Sequence, residues 1–185
     1  MVAVVGSRSG AFSPAAVSRV VSAFARRGWS VATGGALGVD SCVLSSLLAV
    51  GLGRLGVVFS AWSGLAGFPV SVRPLASRLL AAGGRVVWGL ASPGSSRRAV
   101  LAGLFSRNAG LAASCGFLVA FLGSGSCGSV SVVRACVRRG VPVRVFLSGG
   151  VLPVLPGGSW VPVSAGLFVG GFRWVSSSSQ LSLFE

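Results

Sequence analysis

The residues of this chain that could act on a ligand are few and fall in four short blocks. Gly6, Ser7 and Arg8 follow an apolar run at 2–5, and T-G-G-A-L-G-V-D at 33–40 supplies Thr33, Gly34, Gly35, Gly38 and Asp40. Arg107 and Asn108 form an R-N pair, and Ser124, Gly125 and Ser126 an S-G-S turn. Hydroxyls, a guanidinium and free backbone N–H groups at the mouth of a helix suit an anionic ligand. Glycines let the backbone approach that ligand closely. Asp40 opens the next helix, where the dipole favours a carboxylate; it either caps that helix or organises the ligand site. A Gly-Ser turn after a strand is by itself often only a turn, so the weight rests on the first two blocks together.

What is missing narrows the chemistry. There is no histidine, lysine or tyrosine, and apart from Glu185 the only acid is Asp40, so the usual acid–base and nucleophile pairs cannot be assembled. Cys42, Cys115, Cys127 and Cys136 show no C-x-x-C spacing and have no histidine to complete a zinc set. They read as free thiols in a reducing compartment. The expectation is therefore binding rather than catalysis, with no metal and no cofactor.

Composition makes the surviving residues informative. Met1, Thr33, Asp40, Asn108, Gln180 and Glu185 are the single representatives of their types, and isoleucine, lysine, histidine and tyrosine are absent. Every codon for these ten types carries adenine at its first or second position, so a coding strand purged of adenine explains the pattern, and a position that kept such a codon needed its side chain. The formal charge of +14, from 16 arginines against two acids, points to a polyanion because arginine pairs with phosphate bidentately. Adenine avoidance deletes Asp, Glu and Lys but spares Arg, so the charge has two possible sources; either way it attracts phosphate.

The mean hydropathy of +0.86 raises a membrane reading. The uncharged stretches 110–133 and 145–172 are broken repeatedly by Gly, Ser or Pro, which a spanning helix of roughly 20 apolar residues does not tolerate well. No basic region precedes the first apolar run as in a secretory signal. The expectation is a cytoplasmic protein with no membrane partner.

These blocks must be held by an alternating framework. Apolar runs at 2–5, 29–32, 54–60, 85–90, 116–122 and 141–147 predict strands, with helices at 14–28, from the 33–40 block to about 50, and at 72–82, 97–113 and 129–139. Strict alternation predicts a parallel sheet with right-handed crossovers, helices on both faces and the ligand at the carboxyl ends of the strands. After residue 149 the character changes. A Pro/Gly linker begins the segment 150–175, whose remainder reads as an antiparallel hairpin or packed coil, and 176–185 is a polar tail.

The order G-S-R, T-G-G-A-L-G-V-D, R-N and S-G-S resembles the Rossmann-like domain of the DNA-processing protein A family over about residues 2–148. The second block is the most specific part. The resemblance implies an α/β, doubly wound, mainly parallel sheet forming a single domain at 1–149 with a short C-terminal appendage. It also implies a recombination mediator that binds single-stranded DNA through Gly6, Ser7, Arg8, Thr33, Gly34, Gly35, Gly38, Asp40, Arg107, Asn108 and Ser124 to Ser126. RecA would be a further partner, and a homodimer is left open. The family's flanking helical domains are missing from these residues. A small-nucleotide sensor or carrier is the alternative, and a nucleotide N-glycosidase similar to the phosphoribohydrolases the third reading. That branch uses P-G-G-x-G-T-x-x-E, whereas 123–131 reads G-S-G-S-C-G-S-V-S, with no acid.

A separate signal ends the chain. Gln180, Leu181, Ser182, Leu183 and Phe184 form Q-L-S-L-F, which resembles the pentapeptide by which bacterial replication and repair proteins dock on the β sliding clamp. Leu183 and Phe184 would fill an apolar pocket, Gln180 would fix register, and the serines at 176–179 would act as a tether. A clamp peptide together with adenine avoidance suggests a mobile element.

Overall fold

The computed structural model describes residues 1–9, 12–90 and 96–177. Val2–Gly6 (β1) leads to Pro14–Ala25 (α1), Val31–Thr33 (β2), Val39–Ala49 (α2), Gly56–Phe59 (β3), Arg73–Ala81 (α3) and Arg85–Val87 (β4). Arg97–Ser114 (α4), Phe117–Gly123 (β5), Cys127–Arg138 (α5) and Val143–Ser148 (β6) follow, and Gly158–Pro162 (β7) with Phe172–Ser176 (β8) closes the order. The strands form one sheet in the order β4-β3-β2-β1-β5-β6-β8-β7. The first six are parallel, and β8 and β7 add on antiparallel. This is the Rossmann-like α/β class expected from the alternation.

Period-two alternation decides which face each helix covers. Val2 and Val4 pack with α1, α2 and α3 through Val17, Val20, Val43, Leu47 and Leu79. Ala3 and Val5 point the other way and pack with α4 and α5 through Leu111, Ala112, Val132 and Val133. Val2 to Val5 are all buried, which is why they read as an unbroken apolar run. Ser13 caps α1 by accepting from the Ala16 N–H at 3.3 Å, and Pro14 fills the first helical position.

Several strand limits differ from the sequence expectation, among them the start of β6, which is Val143 rather than 141, and the following three. Trp29 N–H donates to Phe24 O in closing α1, so β2 begins only at Val31. Gly53–Leu55 forms a short 3₁₀ turn, with Leu55 N–H donating to Leu52 O, which delays β3 to Gly56. β4 ends at Val87 rather than 90. The segment read as hairpin or coil is a hairpin: β7 and β8 pair with Trp160 opposite Trp174, their rings 5.1 Å apart and packed on the α4/α5 side.

The order places β1 and β5 side by side, with the connection from β1 running to β2 and that from β5 to β6 on opposite sides. A crevice opens at the carboxyl ends at such a reversal. Gly38 supports the Ser7–Arg8 turn at its edge. It starts α2 with φ 77°, and a Cβ there would collide with the Ser7 carbonyl and come within 2.8 Å of the Arg8 Cα. Gly28, with φ 79°, has nothing within 4 Å of that position. Gly28→Ala should therefore cost only the left-handed backbone penalty, about 1–2 kcal/mol. Gly38→Ala should cost about 3 kcal/mol or more, because overpacking adds to it. Urea unfolding of the two variants checks this, and equal losses would contradict the close approach.

Candidate functional site

A cleft of about 390 Å³ opens at the carboxyl ends of β1, β2 and β5. Gly6, Ser7, Arg8, Gly34, Asp40, Arg107, Asn108, Ser124, Gly125 and Ser126 line it, so residues from all four sequence blocks converge there. Thr33, Gly35 and Gly38 are not on its wall. Thr33 is fully buried at the end of β2, Gly38 buttresses the Ser7–Arg8 turn, and Gly35 borders an adjoining cleft.

Asp40 is 5% exposed and lies in the first turn of α2. Its Oδ2 accepts the Ala36 N–H at 3.1 Å, so the side chain folds back to tie the preceding loop rather than capping the helix. Oδ1 has no hydrogen-bond partner, and neither has the buried Thr33 Oγ1. The Thr33 hydroxyl is near enough to favour the carboxylate electrostatically without reaching hydrogen-bond geometry. Burial raises the Asp40 pKa above the ordinary carboxylate range, and Arg107, the Ala36 N–H, Thr33 and Arg8 oppose that rise.

Arg107 comes from α4 and faces Asp40 across Gly34. A Cβ on Gly34 would stand 3.0 Å from Asp40 Oδ2 and 3.3 Å from the Arg107 guanidinium carbon, so any side chain there would wedge between the two charges. Arg107 Nη1 donates to Gly34 O at 3.0 Å, and its Nε and Nη2 donate to Asn108 Oδ1 at 3.2 and 3.0 Å. Asn108 Nδ2 in turn donates to Gly128 O and Ser131 Oγ, both at 3.3 Å. The R-N pair thus connects the loop after β2 to the first turn of α5. Burial lowers the Arg107 pKa, Asp40 raises it and Arg8 adds to the lowering.

The third wall is the turn after β5. Gly125 takes φ 74°, Ser126 Oγ accepts the Gly123 N–H at 3.0 Å, and Ser124 Oγ donates to Gly149 O at 2.7 Å. Ser129 Oγ donates to Gly6 O at 2.9 Å, fastening α5 to the end of β1. The amino end of this 12-residue helix, Cys127 to Ser129, borders the cleft beside the two arginines. A helix N-terminus and guanidinium groups around one opening favour an anion.

Ser9, beside the first block, also lines this wall, and sequence reasoning missed Ala36 and the stretch Cys127 to Ser129 there. It also missed Trp62, which lines the adjoining cleft. Its signal was available, because Trp62 follows β3 at the carboxyl end of a parallel strand, where such sheets hold ligands. Among the described residues there is no group of three or more His, Cys, Asp or Glu placed to hold a metal ion, and no helix long and apolar enough to cross a membrane. Gln180 to Phe184 lie outside the described residues.

Asp40 leaves a measurable trace. With its folded pKa raised, the native state binds a proton more tightly than the unfolded chain does. Stability should then fall as pH rises from the unfolded value, about 3.9, through the folded one, and level off above it. No histidine titrates in that range and Glu185 is the only other acidic side chain. Urea unfolding at stepped pH should show this decline in the native sequence and lose it in Asp40→Asn. The same slope in both would assign it elsewhere.

No known family model matches the sequence, and no curated protein matches it. Among solved structures the fold is similar to that of DNA processing protein A from Helicobacter pylori, determined for its single-stranded DNA binding mode, with a TM-score of 0.60 and 20% sequence identity. The similarity covers 79% of this chain and 63% of that one, so less than two thirds of the Helicobacter protein has a counterpart here. At this identity the likeness establishes a shared fold, the Rossmann-like α/β domain that the four motif blocks implied.

Proposed function

We propose that this chain binds single-stranded DNA, with the phosphate backbone running over the cleft at the carboxyl ends of β1, β2 and β5. The observation that carries the reading is the placement of Arg8 and Arg107 beside the amino end of α5, in a cleft whose one carboxylate is buried beneath Gly34. Arg107 is pre-oriented by Gly34 and Asn108, so little side-chain freedom is lost when a phosphate arrives. The Helicobacter structure of like fold concerns single-stranded DNA, which favours a strand over a free nucleotide. Asp40 is poorly placed as a general base, since it is buried and its Oδ2 is already committed to the Ala36 N–H. A DNA-processing role that includes handing the strand to a recombinase such as RecA extends this reading by analogy with the family resemblance alone.

Fluorescence anisotropy with a short single strand, measured across salt, tests it. Binding should weaken steeply with salt, and Arg8→Ala and Arg107→Ala should each weaken it and flatten the slope by roughly one unit per arginine removed. Saturation by one AMP, with no gain for longer strands, would support a mononucleotide carrier instead. Unchanged affinity and slope in both variants would rule this cleft out as the binding surface.

The Q-L-S-L-F tail supports a second contact, with a bacterial β sliding clamp, on its sequence alone. A peptide spanning residues 176–185 should bind a clamp with micromolar affinity, on the order of −8 kcal/mol, and lose it on the double change Leu183→Ala and Phe184→Ala. Isothermal titration checks this, and binding that survives the double change would mark the string as accidental.

A further inference from the structure

Two thiols meet between α4 and α5, and neither lines the cleft. Cys115 closes α4 and Cys136 lies in the last turn of α5. They are 3% and 0% exposed, and their Sγ atoms stand 3.6 Å apart. A disulfide holds its sulfurs about 2.0 Å apart, so the pair is within roughly 1.6 Å of one.

Buried cysteines often serve only as small apolar residues. This pair is set apart by a cation that spans both helices at the thiols. Arg139 lies just beyond Cys136, and its backbone N–H donates to Cys136 O at 3.1 Å. Its Nη1 donates to Ala112 O, the same oxygen that Cys115 Sγ approaches at 3.6 Å in its thiol form, so the guanidinium stands beside that sulfur. The hydrogen bond from Cys136 lowers the Cys115 pKa against the opposing effect of burial, and Arg139 adds to the lowering. The bond to Cys115 and burial both raise the pKa of Cys136. Cys115 is thus the thiolate of the pair and Cys136 the proton donor.

We propose that Cys115 and Cys136 form an oxidisable dithiol, a modification site for hydrogen peroxide that closes as a disulfide between α4 and α5. The Cys115 thiolate attacks one peroxide oxygen and the O–O bond breaks. Cys115 becomes a sulfenic acid, and the leaving hydroxide takes up the proton that Cys115 had released, forming water. The Cys136 sulfur then attacks the Cys115 sulfur, the S–O bond breaks, and the hydroxyl leaves as a second water with the Cys136 proton. Two thiols are oxidised, and one peroxide is reduced to two waters. Peroxide fits this burial because it is scarcely larger than water, whereas a peptide disulfide is far too bulky to reach either sulfur. At the cleft end the two helices are already joined by Asn108 to Gly128 and Ser131. The disulfide would fasten their other end and remove loop entropy from the unfolded chain.

The test treats the intact chain briefly with hydrogen peroxide, quenches it in acid, alkylates it and maps its peptides without reduction. The expected product links Cys115 to Cys136 within one chain and leaves Cys42 and Cys127 alkylated. Its thermal midpoint should rise by roughly 6–12 °C and fall back on addition of dithiothreitol. Alkylation of all four cysteines, or linkage through Cys127 in place of this pair, would overturn the proposal. An unchanged midpoint in the linked form would overturn the fastening of the helices. Cys136→Ala should leave a sulfenic acid on Cys115 that dimedone captures on unfolding, and Cys115→Ala should leave Cys136 unoxidised. Dimedone capture on Cys136 would overturn the assignment of Cys115 as the attacking sulfur, and the mapping of the native chain stands whether or not either variant folds.

Discussion

The site depends on a buried carboxylate and a largely buried guanidinium that meet at a residue with no side chain. Asp40 and Arg107 reach Gly34 from α2 and α4, and neither has the space to do so unless residue 34 is glycine. A charge this deep is expensive unless it is paired or solvated by fixed dipoles. Here Asp40 draws on the Ala36 N–H and on Arg107, and Arg107 on Gly34 O and Asn108 Oδ1. Because Asn108 goes on to Gly128 and Ser131, and Ser129 to Gly6, one polar chain ties the ends of β1, β2 and β5 together. Satisfied networks of this kind rigidify the structure and specify a single arrangement. Oδ1 of Asp40 and Oγ1 of Thr33, both buried, are the atoms of this one left without a hydrogen-bond partner.

A chain with 16 arginines and two acids must satisfy its cations without carboxylates. It uses carbonyls and rings. Arg27 donates to Ala23 O, Arg73 to Phe68 O, and Arg139 to Ala112 O. Arg144 lies 5.5 Å from the Phe117 ring and 5.6 Å from that of Phe168, directly opposite Arg173 on the next strand. Burial and the Arg173 charge both lower its pKa. These arginines serve the fold, so the net charge overstates the surface offered to a polyanion, and the informative cations are those in the cleft.

The element order was readable from sequence because buried parallel strands are uninterrupted apolar runs and the helices between them carry caps such as Ser13-Pro14. Strand limits were less so, since Trp29 and Leu55 are captured by turns whose hydrogen bonds depend on where the preceding helix stops. Codon economy singled out residues that the fold gathers in one place. Thr33, Asp40 and Asn108, each the only residue of its type, are all buried polar groups around one cleft. The separate jobs of the glycines were not readable, because clearance depends on what packs opposite: Asp40 and Arg107 at Gly34, Phe68 at Gly35, the Ser7–Arg8 backbone at Gly38. Trp62 was missed because a tryptophan in a loop looks like core until its indole N–H is found without an acceptor.

The most direct measurement is backbone amide mapping by nuclear magnetic resonance as a short single-stranded oligonucleotide is added. If the strand lies over the cleft, the largest shifts fall on Ser7 to Ser9, Gly34 to Leu37 and Ser124 to Ser129, with smaller ones around Trp62, while the β7–β8 hairpin stays unmoved. Shifts confined to another arginine-bearing surface, with these loops unchanged at saturation, would contradict that placement.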